Sequence, residues 1–111
     1  LASRFGSFAE FYPYYLSEHR DRRCRALHYV GSLGVLVLLA YLVINQLWPW
    51  LWTALLVGYG CAWIGHFGFE HNKPATFKHP LYSFLGDWVM LKDWLTGQLP
   101  QKLAAALVKY P

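Results

Sequence analysis

Charge is missing from 44 consecutive residues of this chain: Ala26 to Phe69 contain no Lys, Arg, Asp or Glu. Over the whole chain charged residues make up 14%, against about 25% in ordinary soluble domains. That scarcity argues against a solvated surface over the middle of the chain and points to a membrane. Cysteine is scarce too. Cys24 and Cys61 are neither closely paired nor at zinc-finger spacing, so both thiols are read as reduced and structural. Internal repeats and low-complexity linkers are absent, and residues 1–111 are read as one domain.

What fills the chain instead is apolar and aromatic: 56% apolar residues, with six Trp, eight Tyr and seven Phe. A bilayer-spanning helix needs about 20 mostly apolar residues, so the uncharged stretch is long enough for two. The segment "NQLWPW", Asn45 to Trp50, supplies a turn near its middle, and Pro49 suits the first position of a second helix. Spans over 27–46 and 49–68 follow. The alternative, a buried helical hairpin in a soluble protein, fits the uncharged length less well. Arg4, Arg20, Arg22, Arg23 and Arg25 precede this segment, and Lys73, Lys78, Lys92, Lys102 and Lys109 follow it. The turn carries no positive charge, so the expectation is an integral membrane protein with both termini cytoplasmic. Trp48, Trp50 and Trp52 suit the opposite interface. The net charge of +4 then reads as membrane topology and contact with anionic lipid rather than with nucleic acid. No cleavable signal peptide is expected, because the chain opens with the amphipathic "LASRFGSFAEFYPYYL".

Residues 5–18 place Phe5, Phe8, Phe11, Tyr12, Tyr15 and Leu16 at helical spacing, with Ser7 and Glu10 fitting a capping box. Pro13 either kinks this helix or begins another. The natural reading is an interfacial helix, and the plainer one a core helix. Residues 81–96 are amphipathic and interrupted by Asp87, Lys92 and Asp93; after Gly97 and Pro100, residues 101–109 make a last short helix. The expected fold is therefore an all-α integral membrane protein, a transmembrane helical hairpin flanked by amphipathic interfacial helices. Gly31 and Gly34 in one span and Ala62 and Gly65 in the other would let the two helices approach closely near their charged end.

That topology gathers the histidines. His28 lies at the entrance of the first span and His66 near the exit of the second, with His19 just upstream and His71 and His79 just downstream. His66 and Glu70 are spaced i, i+4 and share a face of a helix. Met by His28, they could form a two-histidine, one-carboxylate set with open positions, which suits non-haem Fe(II) chemistry; His19 could add a third nitrogen. Tetrahedral zinc is the alternative metal, and a set of satisfied interfacial polar groups the alternative to any metal. Asn72 and Asp87 could orient ligands from behind. Arg20, Arg22, Arg23 and Arg25 are candidates for holding a substrate carboxylate, and Lys73 and Asn72 are further substrate-binding candidates, against the plainer reading of solvated charge and an exit turn. "VGYG", Val57 to Gly60, resembles a fragment of a potassium filter but has Leu56 before it and no third span after it.

"FYPYYLSEHRDRRCRALHYVGS" and "GYGCAWIGHFGFEHNKPATFKHPLYSFLGDWVM" together resemble the Mpo1-like (DUF962) family over nearly the whole chain. The most specific parts are the pair His19 and His28 with Gly31 after it, "GHFGFEHNKPATF" and "PLYSFLGD". The resemblance implies an Fe(2+)-dependent dioxygenase acting on 2-hydroxy fatty acids by α-oxidation, which shortens the acyl chain by one carbon. It implies metal-binding and catalytic roles for His19, His28, His66 and Glu70. His71 joins the ligands on weaker grounds, since relatives often carry lysine or another residue there. The implied partners are the 2-hydroxy fatty acid, dioxygen and the lipid bilayer, with a homo-oligomer left open. The implied place is the endoplasmic reticulum in eukaryotic relatives and the inner membrane for a bacterial chain. This chain lacks the additional hydrophobic sequence that the fungal form carries between its two motifs. A two-iron membrane lipid hydroxylase and a non-catalytic lipid-binding protein are the competing readings.

Overall fold

The computed structural model describes residues 5–111, so Arg4 lies outside the described residues. Every regular element among them is helical. Helix α1, Phe8–Ser17, starts at Ser7, whose Oγ accepts the Glu10 N–H at 3.3 Å. Glu10 Oε1 in turn accepts the Gly6 N–H at 3.0 Å, so the expected capping box closes one residue further out. Pro13 sits inside α1 without ending it. The carbonyl it leaves without a donor belongs to exposed Ala9, where water can serve.

Helix α2, Arg22–Ile44, is capped by Asp21, whose carboxylate accepts the Arg23 N–H at 2.8 Å. Its 23 residues extend about 35 Å. Among the described residues it is the one helix long and apolar enough to cross a bilayer. The expected second span over 49–68 is not one such helix. Pro49 opens a 3-10 turn, Trp48–Trp50, and helix α3, Thr53–Gly65, has 13 residues, about 20 Å, short of the roughly 30 Å hydrocarbon core. The chain then continues as a π turn, His66–Glu70. Helices α2 and α3 run antiparallel and close together. A Cβ built at Gly31 would lie 3.0 Å from Cys61 Cβ, and one at Gly65 would lie 3.1 Å from Cys24 Cα. The small residues thus act at the depth the sequence indicated. Away from that contact, Val30, Val37, Ile44, Leu55, Leu56 and Ile64 are each at least 60% exposed. An apolar surface so continuous marks contact with a membrane or another protein.

Helix α4, Pro80–Leu95, and helix α5, Leu99–Lys109, complete the chain. Gly97, at φ +76°, ends α4: its N–H donates to Trp94 O at 3.3 Å and the Gln98 N–H to Asp93 O at 2.9 Å, the paired bonds of a left-handed cap. Pro100 falls in the first turn of α5 instead of preceding it. The apolar face of α1 is used within the molecule. Phe11, Tyr15 and Leu16 are buried with Met90, Leu91, Leu99 and Ala106, each large side chain contributing about 1.5–3 kcal/mol. Asp93 is fully buried in this cluster. It accepts from Tyr12 Oη at 2.7 Å, Lys92 Nζ at 2.8 Å and Lys102 Nζ at 3.0 Å, tying α1, α4 and α5 together. The assembly sits against the polar end of α2 and α3 and closes over the histidines.

Candidate metal centre

Three segments deliver one imidazole each. His19 stands in the short connection between α1 and α2, and Arg25 Nη1 holds its carbonyl and that of Arg20, each at 2.7 Å. His28 lies in the second turn of α2, and His66 begins the π turn. All three are buried, at 1%, 5% and 2% exposure, although they border the most apolar part of the chain.

Their hydrogen bonds fix which nitrogen carries hydrogen. His19 Nδ1 lies 2.6 Å from Tyr15 O, His28 Nδ1 2.8 Å from Cys24 O, and His66 Nδ1 2.7 Å from Asn72 Oδ1. Carbonyl oxygens only accept, so each Nδ1 donates. Asn72 is oriented by its own amide nitrogen, which donates to Glu18 O at 3.2 Å. Every neutral ring therefore turns a bare Nε2 lone pair inward. His19 Nε2 lies 3.1 Å from His28 Nε2 and 3.0 Å from His66 Nε2, and the three rings stand at 80°, 79° and 88° to one another. Lone pairs held so close repel unless a cation lies between them.

The geometry fits a metal ion. Ligand atoms about 2.1 Å from an octahedral ion stand about 3.0 Å apart when adjacent, close to the spacing found here. Beside the cluster is a crevice of about 10 Å³, the room of a single water-sized sphere. His19, His28 and His66 together meet the requirements of a buried metal-binding group. Burial first, then the neighbouring His28 and His66, hold the His19 ring well below its ordinary pKa, so it is neutral and available as a ligand. Behind the ligands, the Nδ1 bonds supply the orienting contacts typical of metal-binding histidines.

The other expected residues fall elsewhere. Glu70 Oε2 accepts the Asp21 N–H at 2.5 Å, at the start of α2, and is not part of the histidine cluster. The i, i+4 argument assumed an α-helix, and residues 66–70 wind instead as a π turn. His71 is exposed and left-handed, at φ 57°. His79 packs its ring among Phe5, Phe11 and Tyr14. Arg20 Nη2 donates to Tyr110 O at 2.6 Å and Pro111 O at 2.7 Å, and Lys73 is exposed. Asn72 meets His66 directly through its Oδ1.

Besides Asp87, already a candidate from the sequence, two residues of the centre went unnoticed there, Tyr15 and Ser83. Tyr15 stacks on the His19 ring at 4.1 Å and donates its hydroxyl to Asp87. Asp87 borders the crevice, and burial pushes its carboxyl up to about 7 against the pull of the Tyr15 hydroxyl. Ser83, one turn before Asp87 on α4, is 3% exposed; its Oγ borders the same crevice without a hydrogen-bond partner. The i, i+4 spacings of Tyr15 to His19 and Ser83 to Asp87 were the available signals.

Set beside known proteins, the chain shows no match among curated proteins or solved structures. A family model does match, described as 2-hydroxy-palmitic acid dioxygenase Mpo1-like and covering residues 5–99. Matched over most of its length, the chain belongs to that family.

Proposed function

We propose that the chain is an Fe(II)-dependent dioxygenase that converts a 2-hydroxy fatty acid to the acid one carbon shorter. The gathering of three buried imidazoles, with ligand nitrogens within 4.8 Å of one another, is the observation that carries this reading. His19, His28 and His66 would hold the ion, while Glu70 secures the start of α2 from outside the ligand set. Iron bound there would supply the one-electron chemistry with dioxygen that imidazole and carboxylate groups lack; zinc, which has no redox chemistry, would not. A 2-hydroxy acid brings a carboxylate and a hydroxyl of its own, the oxygen donors that three neutral imidazoles do not provide. The reaction balances without another reductant: 2-hydroxy acid and dioxygen give the shorter acid, carbon dioxide and water. All the electrons that dioxygen takes up come from the substrate.

The chain's own groups have defined tasks. Asp87, with Oδ1 accepting from Tyr15, keeps Oδ2 available to take the proton of the substrate hydroxyl. Tyr15 braces His19 through its ring and its carbonyl together. Burial of the cluster excludes bulk water. We further propose that α2 and α3, with the turns flanking α3, lie in the bilayer as a hairpin. Trp48, Trp50 and Trp52 would then meet the far interface, and the histidines lie level with the lipid head groups on the cytoplasmic side. The outward apolar faces and the one-sided positive charges support this. An acyl tail could then remain in an apolar layer while its head reaches the centre.

Purified protein in detergent should consume dioxygen with 2-hydroxy-palmitic acid and release pentadecanoic acid. An iron chelator should abolish turnover, and Fe(II) but not Zn(II) should restore it. Turnover that survives chelation, or returns with Zn(II), would contradict the assignment.

A further inference from the structure

A second cavity, of about 270 Å³, begins at the histidine centre and runs along α2 and α3. His28 and Asp87 border both it and the crevice beside the cluster, so the two spaces are continuous in their lining. On α2 its wall is the stripe His28, Ser32, Val35 and Leu39, at i, i+4, i+7 and i+11 on one helix face. On α3 the wall is Ala54, Leu55, Gly58, Tyr59 and Ala62, three of them small. Phe84 and Trp88 of α4 cover the end near the histidines. The walls are overwhelmingly apolar, and the polar groups collect at that same end. There stands the Ser83 hydroxyl, buried and unpaired, one turn from Asp87.

We propose that this groove is the substrate's seat. The carboxylate and hydroxyl of a 2-hydroxy fatty acid lie at Ser83 and Asp87, and the acyl tail runs along the α2–α3 groove toward Leu39 and Ala54. The proposal rests on the substrate class given above and adds where the molecule lies and what measures its length. An unpartnered Ser83 Oγ gains a hydrogen-bond acceptor when the carboxylate arrives. From His28 to Leu39 the groove runs about 16 Å at 1.5 Å per residue, roughly the extended length of a dozen methylene groups. Lipid tails are as apolar as the groove wall, so moving a tail from bilayer to groove gains little from burial alone. Selection by length therefore comes from where the groove ends. Ala54, 6% exposed and opposite the Leu39 end, is the residue whose size sets that limit.

The test uses the full chain in lipid nanodiscs and 2-hydroxy-palmitic acid carrying a photoreactive diazirine near its methyl end. After irradiation and peptide mapping, label should fall on Leu39, Leu51 or Ala54. Ala54→Phe should weaken that labelling about tenfold while changing labelling by a probe six carbons shorter by less than about twofold. Ser83→Ala should lower labelling by both probes. Label on the outward residues Val37 and Tyr41, as expected of a tail loose in the bilayer, would overturn the proposal. So would equal effects of Ala54→Phe on both probes in a variant whose thermal unfolding matches the wild type. Labelling requires no turnover, so the two readings fail separately. Label in the groove without product removes the dioxygenase assignment alone, and product with label outside the groove removes the seat alone.

Discussion

The hydrogen on each Nδ1 is the detail on which the proposed metal centre rests. Tyr15, Cys24 and Asn72 each present an oxygen that cannot donate, and this alone turns three Nε2 lone pairs toward one another. Asn72 is the only one of the three acceptors that belongs to a side chain and can be removed. Asn72→Ala should keep the three ligands but free the His66 ring, weakening metal affinity about 10- to 100-fold in a competition titration with a chromogenic chelator. An unchanged affinity would mean that the Asn72 contact orients nothing. At this scale much was legible. His19, His28 and His66 were marked by their place at one end of an uncharged segment, and Asn72 by its place after them. The partners of their Nδ1 atoms were not, because two are backbone carbonyls and carry no residue signature. The bond that Glu70 makes to the Asp21 N–H was not legible either, because its partner is a backbone group 49 residues away.

Among the elements, the close approaches decide how the centre is braced. Gly86 brings α4 against α1: a Cβ there would lie 2.8 Å from Cδ2 of Tyr15, the ring that stacks on His19. Gly86→Ala should therefore destabilise the fold by about 1–3 kcal/mol, read from denaturant unfolding in detergent, and loosen metal binding as Tyr15 shifts. If unfolding moves and metal affinity does not, Tyr15 packs without bracing. Helix α4 was expected within one residue of its ends, and α2 began earlier than expected because Asp21 caps it ahead of the apolar run. The second apolar span was the clear departure. Hydrophobicity continues unbroken through 49–68, yet Pro49 and the indoles beside it fold as a turn, and periodicity has no means of separating a short helix with two unusual ends from a long one. Helix α1 shows the same limit from the other side. Its aromatic stripe is equally suited to lipid or to α4 and α5, and only tertiary contact decides between them.

Over the whole molecule, two kinds of surface are divided between two ends. Apolar side chains face outward on α2 and α3, while α1, α4 and α5 build an interior core around a buried carboxylate. Burial raises the pKa of Asp93, and hydrogen bonds from Lys92, Tyr12 and Lys102 more than offset it, holding the carboxyl below its ordinary value. The folded chain then binds fewer protons there than the unfolded chain. Its contribution is present above the ordinary carboxylate pKa of about 4 and is lost as pH falls through the depressed value. Asp93→Asn should lower stability by about 2–4 kcal/mol at neutral pH and remove part of the wild type's acid loss below about pH 4, seen in thermal unfolding across pH. An equal acid loss in both proteins would place that titration elsewhere. Nothing in the sequence distinguished Asp93 from a solvated interruption of α4, since its partners lie nine and 81 residues away as well as next to it. The central claim concerns the other end of the molecule, and metal content per chain tests it most directly. Protein purified anaerobically should carry about one iron, as a single three-histidine set allows. That iron should be lost in His66→Ala and kept in Glu70→Ala. Absence of metal from the wild type even after reconstitution with Fe(II), or loss of iron in Glu70→Ala with the fold intact, would contradict the account.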